Sequence, residues 1–173
     1  QWSAMDYTHP EVRDLAFRFF EEVCQNYDVD GIELDFWRHL VYFKSVAWGG
    51  TASDAEREMM TDLLRRIRRM ADAEGRKRGQ PILIAVRVPD SVEYSRMVGL
   101  DIERWLAEDL VDLMVATCYF QLNPWEYIVA LGHKYGVPVY PSLSETRVRS
   151  EGRYRRGSQE SYRARAARVW QSG

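Results

Sequence analysis

A chain of 173 residues, 46% hydrophobic and 29% charged, can bury a sizeable core and reads as one ordinary globular domain. A net charge of −2 excludes any general attraction to nucleic acid or to an anionic membrane, and no apolar run is long enough to span a bilayer. Two cysteines, Cys24 and Cys118, and three scattered histidines lack ligand spacing, so buried thiols are expected, with no metal and no cofactor.

The first element is a helix opened by His9-Pro10-Glu11, with Pro at a first helical position and Glu in the first turn. Val12, Leu15, Ala16, Phe19, Phe20 and Val23 recur along it at helical spacing. A strand follows over Gly31–Phe36. Side chains alternate along a strand, so Ile32, Leu34 and Phe36 share one face while Glu33, Asp35 and Trp37 share the other. The next stretch, Trp37 to Ser53, is a loop of about seventeen residues carrying Trp48-Gly49-Gly50, a length that in a compact domain signals function or mobility. Ser53 or Asp54 caps a second helix running to about Glu74, with Met59, Met60, Leu63, Leu64, Ile67 and Met70 on its apolar side.

Gly75 to Gln80 then turns into a second strand, Pro81–Val88, apolar except for Arg87. Asp101–Ala107 reads as a short helix and Val111–Cys118 as a third strand. Pro124 starts a helix through Tyr135, Gly136 stops it, and Val137–Pro141 is the fourth strand. An arginine-rich loop leads to a last helix from about Ser158 to Trp170.

Helix and strand alternate throughout, which predicts parallel strands, right-handed crossovers and helices outside. Eight such units need roughly 250 residues. The expected fold is therefore the middle portion of a (β/α)8 TIM barrel: one α/β domain over residues 1–173, with four parallel strands and about five helices. An open doubly wound sheet is the alternative, although no glycine-rich phosphate loop follows any strand. A half-open barrel leaves unpaired strand edges, so self-association is expected.

In a parallel barrel, polar residues at strand exits converge on one mouth. The first exit offers Glu33, Asp35, Trp37, Arg38 and His39; the second, Arg87 and Asp90; the third, Tyr119, Gln121 and Asn123; the fourth, Tyr140, Ser144, Glu145 and Arg147. Buried carboxylates on one strand are costly without partners or a task. Neighbouring carboxylates titrate apart, so one can donate a proton while the other stays ionised. Asp35, Glu33 and Glu145 are thus the candidate catalytic groups. A structural ion pair with Arg38 or Arg87 is the competing reading for the first two, and a surface salt bridge for Glu145. Arg87 suits a carboxylate, either the protein's own or a ligand's. Tyr119 and Gln121 suit hydroxyl groups. Trp37, Trp48 and Trp125 offer faces for sugar stacking or for packing.

The segment Tyr27-Asp28-Val29-Asp30-Gly31-Ile32-Glu33-Leu34-Asp35-Phe36 and the helix start His9-Pro10-Glu11-Val12-Arg13 resemble the family 10-like glycoside hydrolase domains. Part of the first segment is also similar to the D-G-x-D-x-D-x-E strand of family 18 chitinases. The frame fits through Asp35, but Trp37 stands where that pattern has its acid. The resemblance implies a glycosidase-type barrel with a sugar site at the strand exits. Asp35 and Glu33 would be its central carboxylates and Glu145 the opposing group. Arg38, Arg87, Tyr119 and Gln121 would orient the sugar, and Trp37 would stack on it. Two other outcomes fit the same residues: a carbohydrate-binding barrel that has lost its acid, and a barrel holding an anionic sugar or phosphate through Arg87 and the Arg147–Arg168 tail.

Overall fold

Period-two patterning in the strands and longer-period patterning between them build a parallel sheet backed by helices. The computed structural model of the protein describes residues 4–117, 121–143 and 157–173. In chain order these form α1 (Pro10–Asn26), β1 (Gly31–Asp35), α2 (Lys44–Ala47), α3 (Asp54–Arg78), β2 (Leu83–Pro89) and α4 (Val92–Val98). They continue as α5 (Ile102–Ala107), β3 (Leu113–Thr117), α6 (Trp125–Lys134), β4 (Val139–Pro141) and α7 (Gln159–Gln171).

The four strands form one sheet in the order β1-β2-β3-β4, every neighbouring pair parallel. Ile32, Leu34, Ile84, Val86, Val88, Met114 and Ala116 are buried on one face, in one cluster with Met60, Leu63, Leu64 and Ile67 of α3, Trp105 and Leu106 of α5, and Ile128 of α6. Burying each aliphatic side chain contributes on the order of 1.5–3 kcal/mol, so this face supplies most of the drive to fold. The opposite face carries Gly31, Glu33, Asp35, Leu83 and Tyr140, all exposed, with Ala85, Arg87, Leu113 and Val115 half-buried between them. Among the described residues no element covers it, whereas parallel sheets are ordinarily covered on both faces.

Seven helices stand among the described residues, against the five expected. The two extra ones are short and amphipathic patterning misses them. Helix α2 is a single turn inside the long loop, and α4 is nucleated by Ser91, whose hydroxyl accepts from the Tyr94 N–H at 3.2 Å. Helix α3 begins as expected, with a reciprocal cap: Glu56 N–H donates to Ser53 Oγ at 3.2 Å, and Ser53 N–H donates to Glu56 Oε2 at 2.7 Å. It runs one turn past the expected stop, because Gly75 is not its cap. A Cβ at Gly75 would sit 2.9 Å from the Gln80 carbonyl oxygen and 3.2 Å from the Ile82 nitrogen, so glycine there permits the β2 approach. The actual stop is Gly79, at φ +73°.

Helix α1 packs on α3. Arg66 ties the two together, bonding Asp14 at 2.8 Å while its guanidinium lies 4.7 Å from the Phe17 ring centre. Helix α7 lies beside α6, joined by Arg168 to Glu126 at 2.8 Å.

Candidate functional site

Strand register decides which of the exit residues meet. Asp35 is paired with Arg87, and Arg87 Nη1 donates to Asp35 Oδ2 at 3.3 Å. The other carboxylate oxygen, Oδ1, accepts from the Trp37 backbone N–H at 2.9 Å. Side-chain exposures of 38% for Asp35 and 27% for Arg87 leave the pair wet. An ion pair this exposed contributes only about 0–1 kcal/mol, so its atoms remain available to a ligand. Glu33 lies one layer further down β1, roughly 7 Å away by strand rise, on the same uncovered face. It has no hydrogen bond or ion pair among the described residues.

The strand exit that presents Asp35 is held from several sides. Phe36 N–H donates to the Arg87 carbonyl at 3.0 Å, and the buried Tyr42 hydroxyl donates to the Phe36 carbonyl. The Tyr42 ring stands edge-on to both Tyr7 and Phe36, with centroids 6.1 and 5.9 Å apart. Burial, reinforced by Tyr7, Asp35 and Tyr94, raises the Tyr42 hydroxyl well above the ordinary tyrosine range, so it remains a donor. The loop beyond packs against the rest of the chain. Phe43 is buried, Ser45 Oγ donates to Glu56 Oε1 at 2.8 Å, and Ala52 N–H donates to the Met97 carbonyl at 2.8 Å. Although burial opposes it, hydrogen bonds from Ser53 and Ser45 hold the Glu56 carboxyl below its ordinary range.

At the second exit Asp90 is fully buried. Its Oδ2 accepts from the N–H groups of Leu122 at 2.9 Å and Asn123 at 3.3 Å, and its carbonyl accepts from Asn123 Nδ2 at 3.2 Å. A carboxylate used this way staples the β3–α6 loop to the end of β2 and sets where Gln121 emerges, exposed, at the rim. Neither Asp90 nor Tyr42 stands out in the sequence as a support; an aspartate after Val-Pro and a tyrosine in a loop carry no distinguishing spacing.

Of the residues expected in the site, the sheet brings Glu33, Asp35 and Arg87 onto one face. Arg38 is exposed just past β1. Trp37 is only 7% exposed, so its ring is largely covered by the rest of the chain. Tyr119 and Glu145 lie outside the described residues. Among the described residues no group of His, Cys, Asp and Glu could hold a metal ion, and no helix is long and apolar enough to cross a membrane.

No family model matches the chain, and no curated protein matches it. Among solved structures, the chain is similar to a glycoside hydrolase family 18 N-acetylglucosaminidase from Paenibacillus barengoltzii, with a TM-score of 0.55 and 18% sequence identity. The alignment covers 82% of this chain and 48% of that one, so the chain spans about half the length of that structure. At this identity the likeness speaks to the fold: an α/β, glycoside hydrolase-like arrangement of four parallel strands and their helices. The resemblance to family 10-like domains rests on the two sequence motifs alone.

Proposed function

We propose that the protein is part of a (β/α)8 glycosidase-like barrel that acts on a carbohydrate at the C-terminal ends of its strands. The observation that carries this reading is the placement of Asp35 at the C-terminal end of a parallel strand, with Arg87 bonded to it and Glu33 one layer below on the same sheet face. Glycoside cleavage needs a proton donor, a group that supports an oxocarbenium-like centre, and hydrogen bonds to sugar hydroxyls. Asp35, bonded through both oxygens, suits the supporting role. Glu33, without such bonds among the described residues, suits proton exchange. Two carboxylates on one side of a strand do not flank a bond, so the reading also calls on Glu145 as the opposing group. Arg87, Arg38, Tyr119 and Gln121 would orient the sugar.

The test is hydrolysis of an aryl N-acetylglucosaminide and of other aryl glycosides by the intact protein. Asp35→Asn and Glu33→Gln should each cost at least about 100-fold in turnover with the far-ultraviolet circular dichroism unchanged. Activity retained by both variants would sink the assignment.

A second reading is a barrel that binds sugar without cleaving it. It draws support from Trp37, which occupies the place of the acid in the family 18 pattern, and from the engagement of both Asp35 oxygens. An oligosaccharide that raises the melting temperature yet is recovered uncut would favour it over hydrolysis.

A further inference from the structure

We infer that Gly99 and Phe43 are positioning residues for Asp35, acting through Tyr42 and the peptide unit between Phe36 and Trp37. The inference takes the importance of Asp35 from the glycosidase reading above, whereas the linkage itself stands on contacts in the loop after β1 and at the end of α4.

The linkage starts at Gly99. This residue caps α4 at φ +103°, in the left-handed region, and a Cβ there would lie 2.7 Å from Cδ2 of the Phe43 ring and 3.5 Å from the Ala52 Cβ. Glycine thus opens a notch that the Phe43 ring fills, leaving 1% of that residue exposed. Ala52 lies buried against the same notch and is tied to α4, its N–H donating to the Met97 carbonyl at 2.8 Å.

Phe43 has extended backbone, φ −130° and ψ 146°, and successive side chains in extended chain point to opposite sides. One side chain therefore enters the notch while its neighbour, Tyr42, reaches the exit of β1. The backbone of the two is fixed. The Tyr42 carbonyl accepts from the Tyr7 N–H at 2.8 Å, and the Phe43 carbonyl accepts from the N–H groups of Val46 and Ala47 at 3.1 and 3.2 Å. A seated Phe43 ring thus sets where the Tyr42 hydroxyl arrives.

That hydroxyl donates to the Phe36 carbonyl, and the N–H of the same peptide unit, on Trp37, donates to Asp35 Oδ1 at 2.9 Å. A peptide unit is planar, so its carbonyl and its N–H turn together. Holding the carbonyl from one side aims the N–H at the carboxylate on the other. Were the peptide to turn, Oδ1 would lose this donor, and among the described residues the carboxylate would keep the Arg87 bond at 3.3 Å.

The experiment is amide hydrogen exchange on the intact protein, followed by nuclear magnetic resonance, with melting temperatures measured on the same samples. The Trp37 amide reports the peptide unit. The Asp112 and Met114 amides, bonded to the Ile84 and Pro138 carbonyls, report general opening of the sheet. Phe43→Val and Gly99→Ala should each speed exchange at Trp37 about tenfold or more relative to Asp112 and Met114. Ile67→Val, a buried position of α3, should lower the melting temperature without changing that ratio. In a Tyr42→Phe background, Phe43→Val should add less than about twofold at Trp37, because the hydroxyl it acts through is gone. If Phe43→Val and Gly99→Ala lower the melting temperature but leave the ratio at its parent value, both are packing residues and the inference is wrong. Should Gly99→Ala fail to fold, Phe43→Val decides alone. An undiminished effect of Phe43→Val in the Tyr42→Phe background also overturns the inference. A parent protein that cleaves no aryl glycoside removes the role proposed for Asp35, and the exchange ratios still decide the linkage.

Discussion

Single side chains in this molecule divide between those that face the open sheet and those that hold them there. Tyr42 belongs to the second kind: its hydroxyl reaches the carbonyl directly after Asp35. Tyr42→Phe keeps the ring but removes that donor, and should cost about 1–3 kcal/mol in urea denaturation; a loss near zero would mean that the bond does not hold the strand exit. A different arrangement serves Glu108. Hydrogen bonds from Arg65 first, and then from Arg104, outweigh burial and hold its carboxyl at about 2 against an ordinary value of 4.5. The same two arginines share Glu58, at 2.6 Å from Arg65 and in contact with Arg104. A carboxyl lowered on folding contributes stability that is complete above about 4.5 and lost as pH falls through about 2. Glu108→Gln should therefore flatten the acid limb of the stability curve in that window. A variant with the same acid limb as the parent would show that the network contributes nothing to it.

Among the elements, α3 supplies much of the apolar cluster that backs the sheet. Its chemistry was partly legible: Ser53 and Glu56 stand three residues apart before an apolar run, and both form the cap expected of that pattern. Gly75 was legible only as a glycine near a helix end, a position where a stop is the ordinary meaning. Its actual task, admitting the turn into β2, depends on atoms five to seven residues on. Alanine would gain up to about 1 kcal/mol of helix propensity there but would meet backbone atoms that cannot swing aside. Gly75→Ala should thus be net destabilising by about 1 kcal/mol or more, read as a lower melting temperature. A stabilised variant would return Gly75 to the role of an ordinary helical glycine.

At the scale of the whole molecule, four parallel strands with one uncovered face and two unpaired edges, among the described residues, make an incomplete enclosure. Edges of this kind pair with whatever strand is offered. The isolated 173-residue chain should therefore associate with rising concentration in sedimentation experiments. A monomer at every concentration would show that the edges are protected.

The amino-acid sequence by itself determined the alternation of helices and strands, the parallel sheet and the faces of β1, because hydrophobic periodicity is a local property written into consecutive residues. It also determined that Asp35 ends β1, with Glu33 on the same side of that strand. Which exit residues stand side by side was decided by tertiary structure, since register depends on the packing of helices against the buried face. That packing sets Arg87 against Asp35 and folds Trp37 inward. It also turns Asp90 from a candidate ligand contact into a staple between loops, because burial and the backbone N–H groups that meet a carboxylate are contributed by residues far away in the chain.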